Sequence, residues 1–94
     1  MPAKIEVRKS AETTYEVQLT DERSKSSHAV TLKDSDYTRL TRNQVAPEEL
    51  IRRSFEFLLE HEAKESILSR FDLTVISRYF PQYESEIKKR LAGT

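Results

Sequence analysis

Cysteine and tryptophan are absent from this 94-residue sequence, glycine occurs once, at position 93, and proline three times. Without cysteine there is no disulfide framework, no thiolate metal site and no cysteine nucleophile, and nothing asks for an oxidising compartment. A single glycine leaves no phosphate-cradling loop, because such loops need backbone that a Cβ would obstruct. Net charge is missing as well, since sixteen basic residues meet sixteen acidic ones. The balance also holds locally, with eight basic and seven acidic side chains over residues 1–46 and eight and nine over residues 47–94. Interspersed signs of this kind solvate a surface and give no net field to draw in nucleic acid or an anionic membrane. Apolar runs stop at three residues, as in Phe57-Leu58-Leu59, far below the roughly 18 that a membrane span needs. The start, MPAKIEVRKS, lacks the apolar core of a secretory signal. A cytoplasmic protein of one domain, 1–94, is the expectation, close to the size at which a single core becomes comfortable.

What the sequence does contain is one well-marked helix. In VAPEELIRRSFEFLLEHE, residues 45–62, Pro47 suits the first helical position, where a missing N–H costs nothing. Ala46 is then the cap, and Glu49 can reach back to its N–H. At 100° per residue Leu50, Ile51, Phe55, Phe57, Leu58 and Leu59 spread over about half the circumference. Glu49, Arg52, Arg53, Glu56 and Glu60 fill the other side, with Glu48–Arg52 and Glu49–Arg53 in the favourable acid-first order. So wide an apolar arc needs cover from two directions.

Three stretches with period-two alternation precede it. Ile5 and Val7, then Tyr15, Val17 and Leu19, then His28, Val30 and Leu32 each alternate with polar residues, which predicts strands over about 4–8, 14–20 and 28–33. Short polar links between them read as an antiparallel meander with one buried face, although no Asn-Gly pair fixes a hairpin register. Asp34-Ser35-Asp36 can cap a short helix over about 35–41, and the central helix runs over 47–63. Asp72 is placed to cap a helix over 72–80, and Pro81 to start a last helix over 81–91 with Tyr83, Ile87 and Leu91 as its seam. Glu84–Lys88 and Glu86–Arg90 line that helix's wet side, and Gly93 follows as a stop signal. The fold class expected is α+β: a three-stranded antiparallel meander, a short helix, the long central helix on the sheet, and two C-terminal helices over it.

The search for chemistry yields little. His61-Glu62-x-x-Glu65 could put a histidine and a carboxylate on one helix face for a metal, but the same residues are ordinary surface at a helix end. His28 falls on the inner face of a strand, where a hydrogen-bonded structural role is the plainer reading. Phe71, Tyr79, Phe80 and Tyr83 hold half of the eight aromatics and lie near Arg70 and Arg78. They could stack single-stranded bases, form core, or dock a second chain, since aromatics and arginine are enriched at interfaces. The residues expected at an interaction surface are Phe71, Arg78, Tyr79 and Tyr83. No catalytic constellation, cofactor or metal is expected.

Residues 28–62, HAVTLKDSDYTRLTRNQVAPEELIRRSFEFLLEHE, resemble the ribbon-helix-helix DNA-binding fold in their order of strand, helix, turn and longer helix. That resemblance implies a strand paired with its copy in a dimer, with Ala29, Thr31 and Lys33 facing the bases. The stretch PEELIRRSFEFLLEHEAKESILSRFDLTVISRYFPQYESEI resembles a group of small bacterial proteins of similar length. This second resemblance implies a bacterial cytoplasmic origin and lends no activity. The functional expectation is a non-enzymatic binding or assembly module that self-associates, as a dimer, or binds another protein. The alternative is a DNA-binding regulator or antitoxin of the ribbon-helix-helix type.

Overall fold

Alternation along the first thirty residues is realised as a β-meander. In the computed structural model, which describes residues 4–92, β1 (Lys4–Lys9), β2 (Thr14–Thr20) and β3 (Lys25–Thr31) pair antiparallel in sequence order. Tyr15, Val17, Leu19, His28 and Val30 are buried on one face, and Ile5 and Val7 pack against that core from the edge. Lys4, Glu6, Arg8, Glu16 and Ser27 lie on the opposite, polar face, where Arg8 pairs with Glu16 at 2.9 Å.

The third strand starts three residues earlier than its apolar pattern indicates. Lys25, Ser26 and Ser27 pair with Thr20, Leu19 and Gln18, because the Asp21–Ser24 turn closes tightly. The Asp21 carboxylate accepts from the Arg23 and Ser24 N–H groups at 2.8 and 2.9 Å, a local turn that an aspartate at its first position favours. Turn chemistry therefore does fix this register, through Asp21 rather than through Asn-Gly.

α1 (Asp34–Thr41) and α2 (Pro47–His61) follow, with Pro47 in the first turn and Ala46 as cap. Glu49 does not close a capping box; its carboxylate lies 2.7 Å from Arg53 and 3.7 Å from Arg52. The turn between the helices uses left-handed backbone at Arg42 and Asn43, with φ of 55° and 60°. Leu50, Ile51, Phe55, Phe57 and Leu58 are buried along α2, so its broad apolar arc is covered. The sheet lies below it and α4 (Tyr83–Ala92) beside it on the far side.

Beyond α2 the structure departs from expectation. A short 3-10 turn, Lys64–Ser66, leads into β4 (Arg70–Asp72), a three-residue strand parallel to β3. The sheet is thus four-stranded and mixed, in the order β1-β2-β3-β4. Residues that read as the start of a helix at 72 are instead the end of this strand, and α3 spans only Val75–Tyr79. The Asp72 carboxylate accepts from the Thr74 N–H at 3.0 Å and the Thr74 hydroxyl at 2.7 Å, turning the chain out of the strand. Pro81 precedes the last helix rather than opening it. The Gln82 carbonyl accepts the Glu86 N–H at 2.9 Å, which makes Tyr83 the first helical residue. Gly93, the expected stop signal, lies outside the described residues.

Two ion pairs tie the helices together. Arg90 meets Glu60 through two hydrogen bonds of 2.9 and 2.7 Å, joining α4 to α2. Arg39 meets Glu84, joining α1 to α4. Glu84 is held chiefly by Arg39, with Lys88 acting on it at longer range, whereas Glu86 lies 3.6 Å from Arg90.

Candidate functional site

Two large apolar side chains are exposed among the described residues, Leu68 at 47% and Tyr79 at 67%. Both border one groove of about 180 Å³ at the β4 side of the molecule. Its floor comes from three directions. Leu58 and Glu62 belong to the end of α2, Ile67 and Leu68 to the link before β4, and Ile76, Tyr79 and Phe80 to α3 and its end, with Phe71 of β4 at the back. The groove lies where the end of α2, the link before β4, β4 itself and α3 meet.

A volume of about 180 Å³ lies below the roughly 300 Å³ at which small-molecule sites begin. It suits one apolar side chain from another protein better than a metabolite.

Histidine 28 fixes the link that lines the groove. Its ring is buried against Phe55, with Nδ1 2.7 Å from the Leu68 carbonyl and Nε2 2.9 Å from the Ser26 hydroxyl. The carbonyl can only accept, so Nδ1 carries a proton, and in the neutral ring Nε2 then accepts from Ser26. The bond anchors the backbone of the link at Leu68 to β3, forty positions earlier.

Of the four residues expected at an interaction surface, the fold brings Phe71 and Tyr79 to one groove, leaves Arg78 exposed beside Tyr79, and buries Tyr83. Tyr79 and Arg78 are exposed on α3. Phe71 is largely buried and meets Phe55 at 6.0 Å between ring centres. Tyr83 is wholly buried, so it drops out of any surface. Its hydroxyl lies 2.6 Å from that of Ser54 on α2, and burial pushes the phenol far above its ordinary value. A spacing of four along α4 placed Tyr83 in the seam, and that inward role excludes the outward one. Phe80, named with the aromatic cluster, also lines the groove, whereas Ile67 and Leu68, which complete it, were not anticipated. Their signal was an apolar pair, Ile67-Leu68, inside an otherwise polar stretch.

Histidine 61 and Glu65 do not share a helix face, because α2 ends at His61 and Glu65 belongs to the next turn. The His61 ring packs on Phe57 and Phe80 at 4.5 and 5.2 Å, while Glu65 lies 2.9 Å from Lys64. Among the described residues no three of His, Asp and Glu converge on a point that could hold a metal.

A second, larger cleft lies between β1 and the end of α2, with Arg52, Glu56, Glu60 and Lys64 on its walls. Most of its charges are already engaged. The Lys64 amino group is buried, donates to the Ser24 hydroxyl and lies 2.9 Å from Glu65 and 3.5 Å from Asp21. The hydrogen bond to Glu65 raises its pKa, the opposite of what a nucleophilic lysine needs. Lys64 clamps the β2–β3 turn to the link after α2.

Ala29 and Thr31, expected at the bases in a ribbon-helix-helix dimer, lie on the polar outer face of the sheet. Lys33 follows just beyond β3 and sits 3.9 Å from Asp72. Within its own chain β3 pairs with β2 along its whole length and with β4 over Ala29, Val30 and Thr31.

No helix among the described residues is long and apolar enough to cross a membrane. In comparison with known proteins, no family model, no curated protein and no solved structure matches this chain.

Proposed function

We propose that this chain is a small non-enzymatic binding module of the bacterial cytoplasm that docks a protein, its own copy or another, over the groove beside β4. One observation carries the reading: the two exposed large apolar side chains, Leu68 and Tyr79, flank the same groove. Scattered singly they would mean nothing, but convergent apolar exposure around a cavity is how docking sites differ from ordinary surface. Arg78, next to Tyr79 and exposed, supplies the polar rim that such surfaces carry. The DNA-binding alternative has less support. It needs an unpaired β3 edge, and the acidic Glu48 and Glu49 stand in the first turn of α2, where a phosphate would have to approach.

A photoreactive phenylalanine analogue introduced at position 79 tests this in producing cells. The reading predicts a defined covalent adduct from position 79 that Leu68→Asp suppresses, and none from position 27 on the outer face of the sheet. No adduct from position 79, or equal labelling from both positions, would contradict it.

A further inference from the structure

Resting on that reading, we infer that the partner is a second copy of this chain, joined edge to edge through β4 in an antiparallel pair centred on Phe71. β4 is an end strand of the sheet, with β3 on one side and no strand on the other among the described residues. The bonds toward β3 fix which backbone groups face outward. The Ser69 carbonyl accepts from Ala29 at 2.8 Å and the Leu73 N–H donates to Thr31 at 2.9 Å. Residues 69, 71 and 73 therefore address β3, and by alternation the N–H and C=O groups of Arg70 and Asp72 point to the open edge.

Charge selects the occupant. Arg70 and Asp72 pair with Ala29 and Thr31, so both side chains stand on the outer face of the sheet. In an antiparallel pair centred on Phe71, Arg70 of each copy lies directly opposite Asp72 of the other, twice over, across a two-fold axis. Those are also the two residues whose backbone groups point outward, so each opposed pair exchanges both of its hydrogen bonds. The pattern Arg-Phe-Asp is thus complementary to itself. Arg70 is exposed and makes no ion pair among the described residues, while Asp72 gives one carboxylate oxygen to Thr74 and has its other oxygen at 3.9 Å from Lys33, a long contact that a closer cation can replace. The other end strand is not equivalent. On β1, Arg8 is held by Glu16 and Lys4 lies near Glu6, and a charged, lysine-bearing edge resists pairing. Joining the β4 edges also brings both grooves to the same side of an eight-stranded sheet, so that Leu68 and Tyr79 of each copy face the seam.

A charge exchange tests the pairing on the purified chain by analytical ultracentrifugation. Wild type should dimerise, and Arg70→Asp should weaken self-association about tenfold or more, because two attractive cross-strand pairs become two repulsive ones. Asp72→Arg should do the same alone, and an equimolar mixture of the two variants should recover the dimer, since opposite charges then meet at both positions. The double variant Arg70→Asp/Asp72→Arg should also self-associate. Circular dichroism checks that each variant is folded, and if loss of the Asp72 turn unfolds Asp72→Arg, Asp72→Asn keeps the turn and should weaken the dimer less than Arg70→Asp does. A wild type that stays monomeric up to millimolar concentration, or a dimer that Arg70→Asp leaves unchanged, would overturn the pairing. Either of these together with a position 79 adduct to a different protein would sink the pairing and leave the docking groove standing.

Discussion

Ser54 is the polar residue on the buried side of α2, and its hydroxyl has two partners. It donates to the Leu50 carbonyl at 2.8 Å and lies 2.6 Å from the Tyr83 hydroxyl. With its proton committed to Leu50, Ser54 accepts from Tyr83, and that assignment makes the two truncations unequal. Tyr83→Phe removes a donor and leaves Ser54 still bonded, a loss of about 1 kcal/mol. Ser54→Ala strands a buried phenol O–H, at about 1–3 kcal/mol. The double variant should cost less than the sum of the two, because the stranded group is gone. Urea denaturation of the four proteins checks this order, and equal, additive losses would reverse the donor assignment. The sequence marked Tyr83 as a seam residue but gave no hint of its partner, because a serine at position 54 has no periodic signature of its own.

At the scale of elements, the α1–α2 turn shows how a chain nearly without glycine turns a corner. Arg42 takes a left-handed conformation at φ 55° and donates its N–H to the Thr38 carbonyl at 2.7 Å, closing α1. The Thr41 hydroxyl accepts from the next N–H, that of Asn43, at 3.0 Å. For a residue with a Cβ this backbone is costly by roughly 1–2 kcal/mol, part of which glycine returns through its freer unfolded chain. Arg42→Gly should therefore raise stability by about 0.5–1 kcal/mol in denaturant titration; a loss of stability would show that the arginine side chain contributes more than its backbone costs. The longer elements were legible in sequence because each repeats its pattern several times: three apolar residues at period two for β2, and two apolar residues in nearly every turn of α2. β4 was not legible. Its three residues hold one apolar side chain, and its pairing depends on β3 forty residues earlier rather than on any local period. The shortening of α3 follows from the same miss.

Across the whole molecule, the helical layer is fastened by ion pairs whose carboxylates titrate. The Arg90 guanidinium holds Glu60 below the ordinary carboxylate value, and Arg39 does the same for Glu84. A carboxylate depressed in the folded state contributes stability that is present above its unfolded value and is lost as pH falls through the folded one. The melting temperature should therefore decline as pH drops below the ordinary glutamate value of 4.5. Both sites are largely solvated, so the contribution is modest. Glu60→Gln combined with Glu84→Gln should lower stability at neutral pH and flatten that decline; an unchanged acid limb would place the acid sensitivity elsewhere.

The groove and the open strand beside it belong to this scale too, since residues from α2, the following link, β4 and α3 meet there only in the folded chain. Tyr79 and Arg78 could be nominated from sequence as aromatic and basic neighbours. Leu68 could not, because its place beside the groove belongs to a link anchored on His28, forty residues away in sequence.

Amide hydrogen exchange at Arg70 and Asp72, followed by NMR from micromolar to millimolar protein, reads the open edge directly. The Leu73 N–H, bonded to Thr31 within the chain, should stay protected throughout, while Arg70 and Asp72 should exchange fast when dilute and become protected as concentration rises. Amides at 70 and 72 that exchange freely at every concentration, or that are protected even at the lowest, would contradict the account of β4 as an edge completed by a second copy.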